Sequence, residues 1–220
     1  QMKKAVFFDF DSTISTPIKI PRWRRHAVAD RPEIFADMTP EEILANFGGR
    51  KRLARLSQLF QDLAAGGCEL FIVSIGFRDS ILPHLTAVGL VRHFRPENVF
   101  GQDSEALRCR GFVKGRLISD IMADPSRLWS PQDALFVDDC AAHIEAAASV
   151  CEVLRVVGNG LSAAELDAVE AIARRGPLIE TAGLLADPSR LWRLSPDEAT
   201  LGAGCPSAAG AWFVVVEPTK

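Results

Sequence analysis

The chain has 220 residues, 48% of them hydrophobic. That is enough to bury one sizeable core with additions, or one domain plus a small second one. A formal net charge of −3 and an isoelectric point of about 5.9 give no general case for nucleic acid or an anionic membrane surface as partner. No apolar run approaches the roughly 18 residues that a membrane span needs.

Gln1 precedes Met2, so the natural start is expected at Met2. The "AVFF" run is too short for a signal-peptide core, and no signal peptide is expected. The five cysteines form no CxxC pair and read as reduced thiols, which points to a cytoplasmic compartment. Residues 4–9, "KAVFFD", read as a buried strand that ends in acid. Residues 12–52 carry Pro17, Pro21, Pro32 and Pro40 and read as an irregular insertion. Within it, Thr39-Pro40-Glu41-Glu42 marks a helix start, and Gly48-Gly49 ends that helix. Leu53, Leu56, Leu59, Phe60 and Leu63 recur at helical spacing until Gly66-Gly67.

The pattern then alternates. Strands are expected at 68–74, 97–101, 133–139 and 151–158. Helices are expected over 78–89, over the Ala-rich "AAHIEAAASV", and over 162–175. Pro83 marks a kink or a first turn in the first of these. Residues 107–113 suggest part of a small hairpin. The heptapeptide "ADPSRLW" occurs at 123–129 and again at 186–192. No periodic array surrounds it, so a solenoid is excluded and a turn leading into a helix is the simplest reading.

Strands alternating with helices imply a mostly parallel α/β sheet covered on both faces. Ligands of such sheets bind beyond the carboxyl ends of the strands. Asp9, Asp11, Ser74, Asp138 and Asp139 all fall at those ends. Acids gathered at one crevice repel, and a divalent cation relieves that cost. Oxygen-only donors suit a hard ion such as Mg²⁺. A carboxylate beside such an ion is a plausible nucleophile toward phosphorus. His26, His84, His93 and His143 are isolated and read as surface or packing residues. No GxSxG and no GxxxxGK[ST] occurs, so a serine hydrolase and a P-loop nucleotidase lack support.

Four segments together resemble the haloacid dehalogenase (HAD) superfamily: "DFDST" at 9–13, "VSIGF" at 73–77, Lys114, and "VDD" at 137–139. They occur in the family's order over about residues 3–160. The resemblance implies an α/β fold, a HAD-like Rossmannoid three-layer sandwich with a mostly parallel sheet and a small cap inserted after the first strand. It implies Asp9 as nucleophile and Mg²⁺ ligand. Asp11 becomes the general acid/base and gives its backbone carbonyl to the metal. Thr13 supports the first motif, and Ser74 with the backbone of Ile75 and Gly76 holds the phosphoryl oxygens. Lys114 links phosphate to Asp9, and Asp138 and Asp139 complete the metal site. Lys114 is also the only lysine between Ser74 and Asp138.

An acid at the position of Asp11 resembles the phosphatases and phosphomutases of the superfamily rather than its dehalogenases and ion pumps. The first two motifs are most similar to the phosphoserine phosphatase branch. Ile75 stands where that branch has glycine, and "VDDCAAHIEAA" is more like its small-cap and capless relatives. The expectation is a HAD-type phosphatase, a Mg²⁺-dependent phosphomonoester hydrolase working through an aspartyl-phosphate. Its partner is a small phosphorylated substrate or a phosphoprotein, with no nucleic acid and no membrane. A small cap disfavours a mutase, whose intermediate needs shielding from water. A HAD-fold regulatory or protein-interaction module is the alternative. Residues 1–175 are expected to form the core, with 12–52 as cap or insertion, and 176–220 a C-terminal extension. Two basic clusters, "PRWRRH" (21–26) and "GGRKR" (48–52), are candidates for steering an anionic substrate.

Overall fold

The computed structural model describes residues 2–175 and the backbone of a short strand at 213–214. Strand β1 (Ala5–Phe8) leads into a π-type turn at Phe10–Ile14. The insertion follows, carrying the short helices α1 (Pro32–Ala36) and α2 (Pro40–Ala45). Thr39 and Glu42 form a reciprocal capping box at the start of α2, as the Thr-Pro-Glu-Glu pattern predicts. Next come α3 (Arg50–Ala65), β2 (Glu69–Val73), α4 (Arg78–Ala87) and β3 (Val99–Phe100). The chain continues through α5 (Glu105–Arg108), α6 (Lys114–Met122), β4 (Ala134–Asp138), α7 (Ala141–Ala147), β5 (Glu152–Arg155) and α8 (Ala163–Arg174). Strand β6 (Phe213–Val214) pairs with β5.

The sheet is parallel, in the order β3-β2-β1-β4-β5-β6. Phe8 lies level with Ile72 on one side and Val137 on the other. All four β1 residues are buried. Alternate side chains of a strand serve opposite faces. Val6 and Phe8 join a core with Leu56, Phe60, Ile81 and Val169, from α3, α4 and α8. Ala5 and Phe7 join a second core with Phe71 of β2 and with Ile118, Ile121 and Ile144 from α6 and α7. The sheet therefore separates two helical layers. An order that runs outward both ways from β1 makes it doubly wound, with the switch point beside β1.

The structure departs from the sequence pattern in several places. Residues 107–113 form no hairpin: α5 is followed by a tight turn in which Gly111 and Phe112 take positive φ of 63° and 62°. Helix α6 goes beyond the expected elements. Helix α3 starts at Arg50, inside the span assigned to the insertion. The insertion does not stand off as a loop; Ile18, Val28, Ile34, Ile43 and Phe47 are buried in the first core. In the first "ADPSRLW" copy, Arg127 lies 5.2 Å over the Trp129 ring and 5.5 Å over Phe71, and it pairs with Glu69. That copy is a packing feature. The second copy, and the proposed extension apart from β6, lie outside the described residues.

Candidate active site

Strands β1, β2 and β4 are neighbours, so their carboxyl ends open onto one cleft of about 270 Å³. Asp9, Asp11 and Ser12 enter it from the end of β1, and Ser74, Ile75 and Gly76 from β2. Asp138, Asp139, Cys140 and His143 enter from β4 and α7, and Lys114 from the first turn of α6. The two residues that the insertion contributes are Ala27 and Asp30.

Lys114 joins the acids. Its buried Nζ donates to Asp9 Oδ1 at 2.6 Å and to Asp138 Oδ2 at 2.7 Å. Burial alone would strip the proton from a lysine, but the two carboxylates outweigh it and raise the ammonium pKa above its usual value. Asp138 is fully buried, yet its pKa is held below the ordinary range. Burial acts against ionisation, and the bonds to His143 and Lys114 and the Cys140 N–H (2.7 Å to Oδ1) overcome it. Asp9 keeps part of the burial penalty. Its pKa is pushed up to about 6 by burial, with Lys114 pulling down and Asp138 pushing further up. Asp139, half-buried beside Asp138, is also raised, by burial and then by that neighbour.

Asp11 differs in kind. Burial, and then the charge on Asp9, push its pKa up to about 7. A carboxyl raised this far keeps its protonated form within reach near neutral pH, which suits a group that gives and takes a proton. The turn that places it puts Ser12 at φ 57°, a left-handed conformation held within the π-type turn. The Ala29 N–H donates to Asp11 Oδ1 at 3.0 Å. The Ala29 carbonyl accepts from Phe77 N at 2.7 Å. The insertion is thus tied to the first and second motifs by one residue's backbone. Gly76 is required where these meet: a Cβ there would lie 2.4 Å from Ala29 Cβ and 2.8 Å from Asp11 Oδ2. Ser74 Oγ, buried, accepts the Gly76 N–H at 3.0 Å.

The cleft thus gathers Asp9, Asp11, Ser74, Ile75, Gly76, Lys114, Asp138 and Asp139. Thr13 is not at the surface of the cleft. It is fully buried, and its carbonyl accepts from Arg52 Nη2 and Leu161 N, both at 2.9 Å. Oxygens of Asp9, Asp138 and Asp139 come within 4.8 Å of one another, whereas the Asp11 carboxylate is not in that group.

Two cleft residues escaped the sequence reading. His143 sits with its Nδ1 3.2 Å from Asp138 Oδ2. Its position one turn into α7, on the helix that follows "VDD", was the available signal. Asp30, 2.8 Å from His26 Nδ1, carried none. None of the arginines of the two basic clusters lines the cleft. Arg22 bonds the Asp37 carbonyl and Glu42 within the insertion. Arg52 donates to the carbonyls of Ile14, Phe47, Thr13 and Leu161 at 2.7–3.0 Å, fastening three segments beneath the site.

No protein-family model matches the chain, and no curated protein does. Solved structures resemble it. The HAD domain of the effector protein Lem4 from Legionella pneumophila is 16% identical over 77% of this chain and 93% of that one, with a TM-score of 0.49. A Had-superfamily hydrolase from Ehrlichia chaffeensis is 14% identical over 79% of this chain and 97% of its own, at 0.48. DsGPDH of Dunaliella salina is 20% identical over 71% of this chain, at 0.47, and this chain spans only 24% of its length. The chemistry of the cleft is therefore read from its own side chains.

Proposed function

We propose that the protein is a HAD-type phosphomonoester hydrolase that works through an aspartyl-phosphate on Asp9. The observation that carries this reading is the buried lysine bridge: Lys114 Nζ holds Asp9 and Asp138 at 2.6 and 2.7 Å, with Asp11 two residues further along the same turn. A cation fixed among carboxylates at two adjoining strand ends orients one of them as a nucleophile and supports an incoming phosphate.

The donor set fits a hard divalent cation. Asp9, Asp138 and Asp139 offer only oxygen and approach one another closely, at a point where their charges exceed what Lys114 balances. Mg²⁺ would be held by these three and by the Asp11 carbonyl. It would supply neutralisation of charge on the phosphoryl oxygens.

Asp9 attacks phosphorus, and the bond to the leaving oxygen breaks. Asp11, protonated, gives its proton to that oxygen as it departs. Now ionised, Asp11 takes a proton from water, whose oxygen attacks the aspartyl-phosphate. Inorganic phosphate leaves, and Asp9 and protonated Asp11 are restored. Ser74 and the backbone of Ile75 and Gly76 orient the phosphoryl oxygens. The test is hydrolysis of p-nitrophenyl phosphate with Mg²⁺. Activity lost with EDTA and in Asp9→Asn supports the reading, and activity that survives Asp9→Asn overturns it.

A further inference from the structure

The cleft has an uneven charge inventory. Five carboxylates line it: Asp9, Asp11, Asp30, Asp138 and Asp139. Among the described residues, Lys114 is the only lysine or arginine in the lining, and it is already bonded to Asp9 and Asp138. Four of the acids belong to the reaction centre. Asp30 does not: it comes from the insertion and stands at the rim.

The position of Asp30 relative to the chemistry is set by covalent and hydrogen-bonded links. Ala29, its neighbour, donates its N–H to Asp11 and accepts from Phe77. Asp11 is the group placed to protonate the leaving oxygen. Residue 30 thus follows directly on the segment tied to Asp11, and both Asp11 and Asp30 line the cleft. The Asp30 carboxylate is itself oriented, because its Oδ2 meets His26 Nδ1 at 2.8 Å and the His26 ring packs edge-on against Trp23, 6.1 Å between centroids. At 46% side-chain exposure it retains access to solvent and to a ligand. No lysine or arginine makes a salt bridge with it among the described residues.

From this the geometry points to Asp30 as a specificity-determining residue that selects phosphomonoesters whose leaving group carries an ammonium, that is, phosphorylated amino alcohols. The inference rests on the phosphomonoester reading above. A leaving group bearing a carboxylate or a second phosphate meets the Asp30 carboxylate, while the basic side chains among the described lining residues, Lys114 and His143, are already turned to Asp9 and Asp138, and like charges placed together are rejected. An ammonium on a short carbon chain meets the Asp30 carboxylate.

The test compares kcat/KM on phosphoethanolamine, hydroxyethyl phosphate and phosphoglycolate, which present a positive, a neutral and a negative group on similar two-carbon frames. The expected order for the unaltered protein with Mg²⁺ is phosphoethanolamine first and phosphoglycolate last. Asp30→Asn should lower the ammonium-to-neutral ratio by about fivefold, the upper end of what a partly exposed ion pair contributes. Asp30→Lys should reverse the order toward phosphoglycolate. Hydrolysis of p-nitrophenyl phosphate is a separate arm. If that ester is hydrolysed and the three-substrate order is flat, or does not move in either Asp30 variant, the inference is overturned while the hydrolase reading stands. If nothing in either arm is hydrolysed, both are overturned.

Discussion

Replacing Lys114 by methionine removes one buried charge and keeps most of the aliphatic stem. Two attractions disappear, at 2.6 and 2.7 Å. With an effective dielectric constant of about 20, each is worth about 6 kcal/mol before desolvation. Leaving the ammonium in water recovers several kcal/mol of that. What remains is the cost of facing Asp9 and Asp138 without a cation, about 3–5 kcal/mol for breaking a buried pair from one side. For a domain of this size that is a drop in Tm of roughly 10 °C. The deficit depends on pH, and the sign follows from Asp9. Its folded pKa of about 6 already exceeds the ordinary 3.8, and losing Lys114, which pulls it down, raises it further. A carboxyl whose folded pKa is raised favours the folded state when protonated, and that advantage is lost as pH rises through the folded pKa. The loss of the Asp138 pairing is felt at both pH values, and the Asp9 penalty adds to it as pH rises, so the deficit should be smaller at pH 5 than at pH 8. Thermal unfolding in EDTA at both values measures this. A loss below 3 °C at pH 8, or the same loss at both, would refute the idea that Lys114 neutralises these acids.

Other expectations follow from the same site. Asp11→Asn should abolish turnover of p-nitrophenyl phosphate at neutral pH, and a ¹³C carboxyl titration of the metal-free parent should show a midpoint near 7 that this variant lacks. Because the acid form is the proton donor, leaving-group protonation should weaken as pH rises through that midpoint. Gly76→Ala should destabilise by about 1–3 kcal/mol, since its Cβ meets Ala29 Cβ at 2.4 Å, and urea midpoints report it. Arg52→Gln should cost about 2–4 kcal/mol by orphaning buried carbonyls, measured the same way. Arg24→Ala with Arg25→Ala should leave KM for p-nitrophenyl phosphate unchanged, because neither side chain reaches the cleft; a severalfold rise would restore the steering role.

What the sequence made legible was whatever depends on side-chain type in a short run. "AVFF", "LFIV" and "ALFVD" could only be buried strands, and their order brought Asp9, Ser74 and Asp138 to one edge of the sheet. Lys114 was legible by scarcity. Helix α6 behind it was not, since its polar first turn hides the apolar Leu117-Ile118-Ile121 stripe until the fold shows which face is covered. The role of Arg52 was invisible for a different reason: its partners are four carbonyl oxygens, and every residue has one. The same holds for Ala29, whose contribution is an N–H and a C=O. His143 was read as isolated because its partner lies five positions earlier, across the bend from strand to helix.

The Ala29 tether has an evolutionary consequence. A main-chain hydrogen bond does not depend on the side chain that its residue carries. The segment from 26 to 30 can thus exchange the side chains it turns toward the cleft while its hydrogen bond to Asp11 stays fixed, provided position 29 remains small enough for Gly76. On the proposed reading, substrate preference and catalytic geometry become separately adjustable, and a library confined to positions 27 and 30 would vary the cleft lining without touching Asp9, Asp11, Lys114 or Asp138.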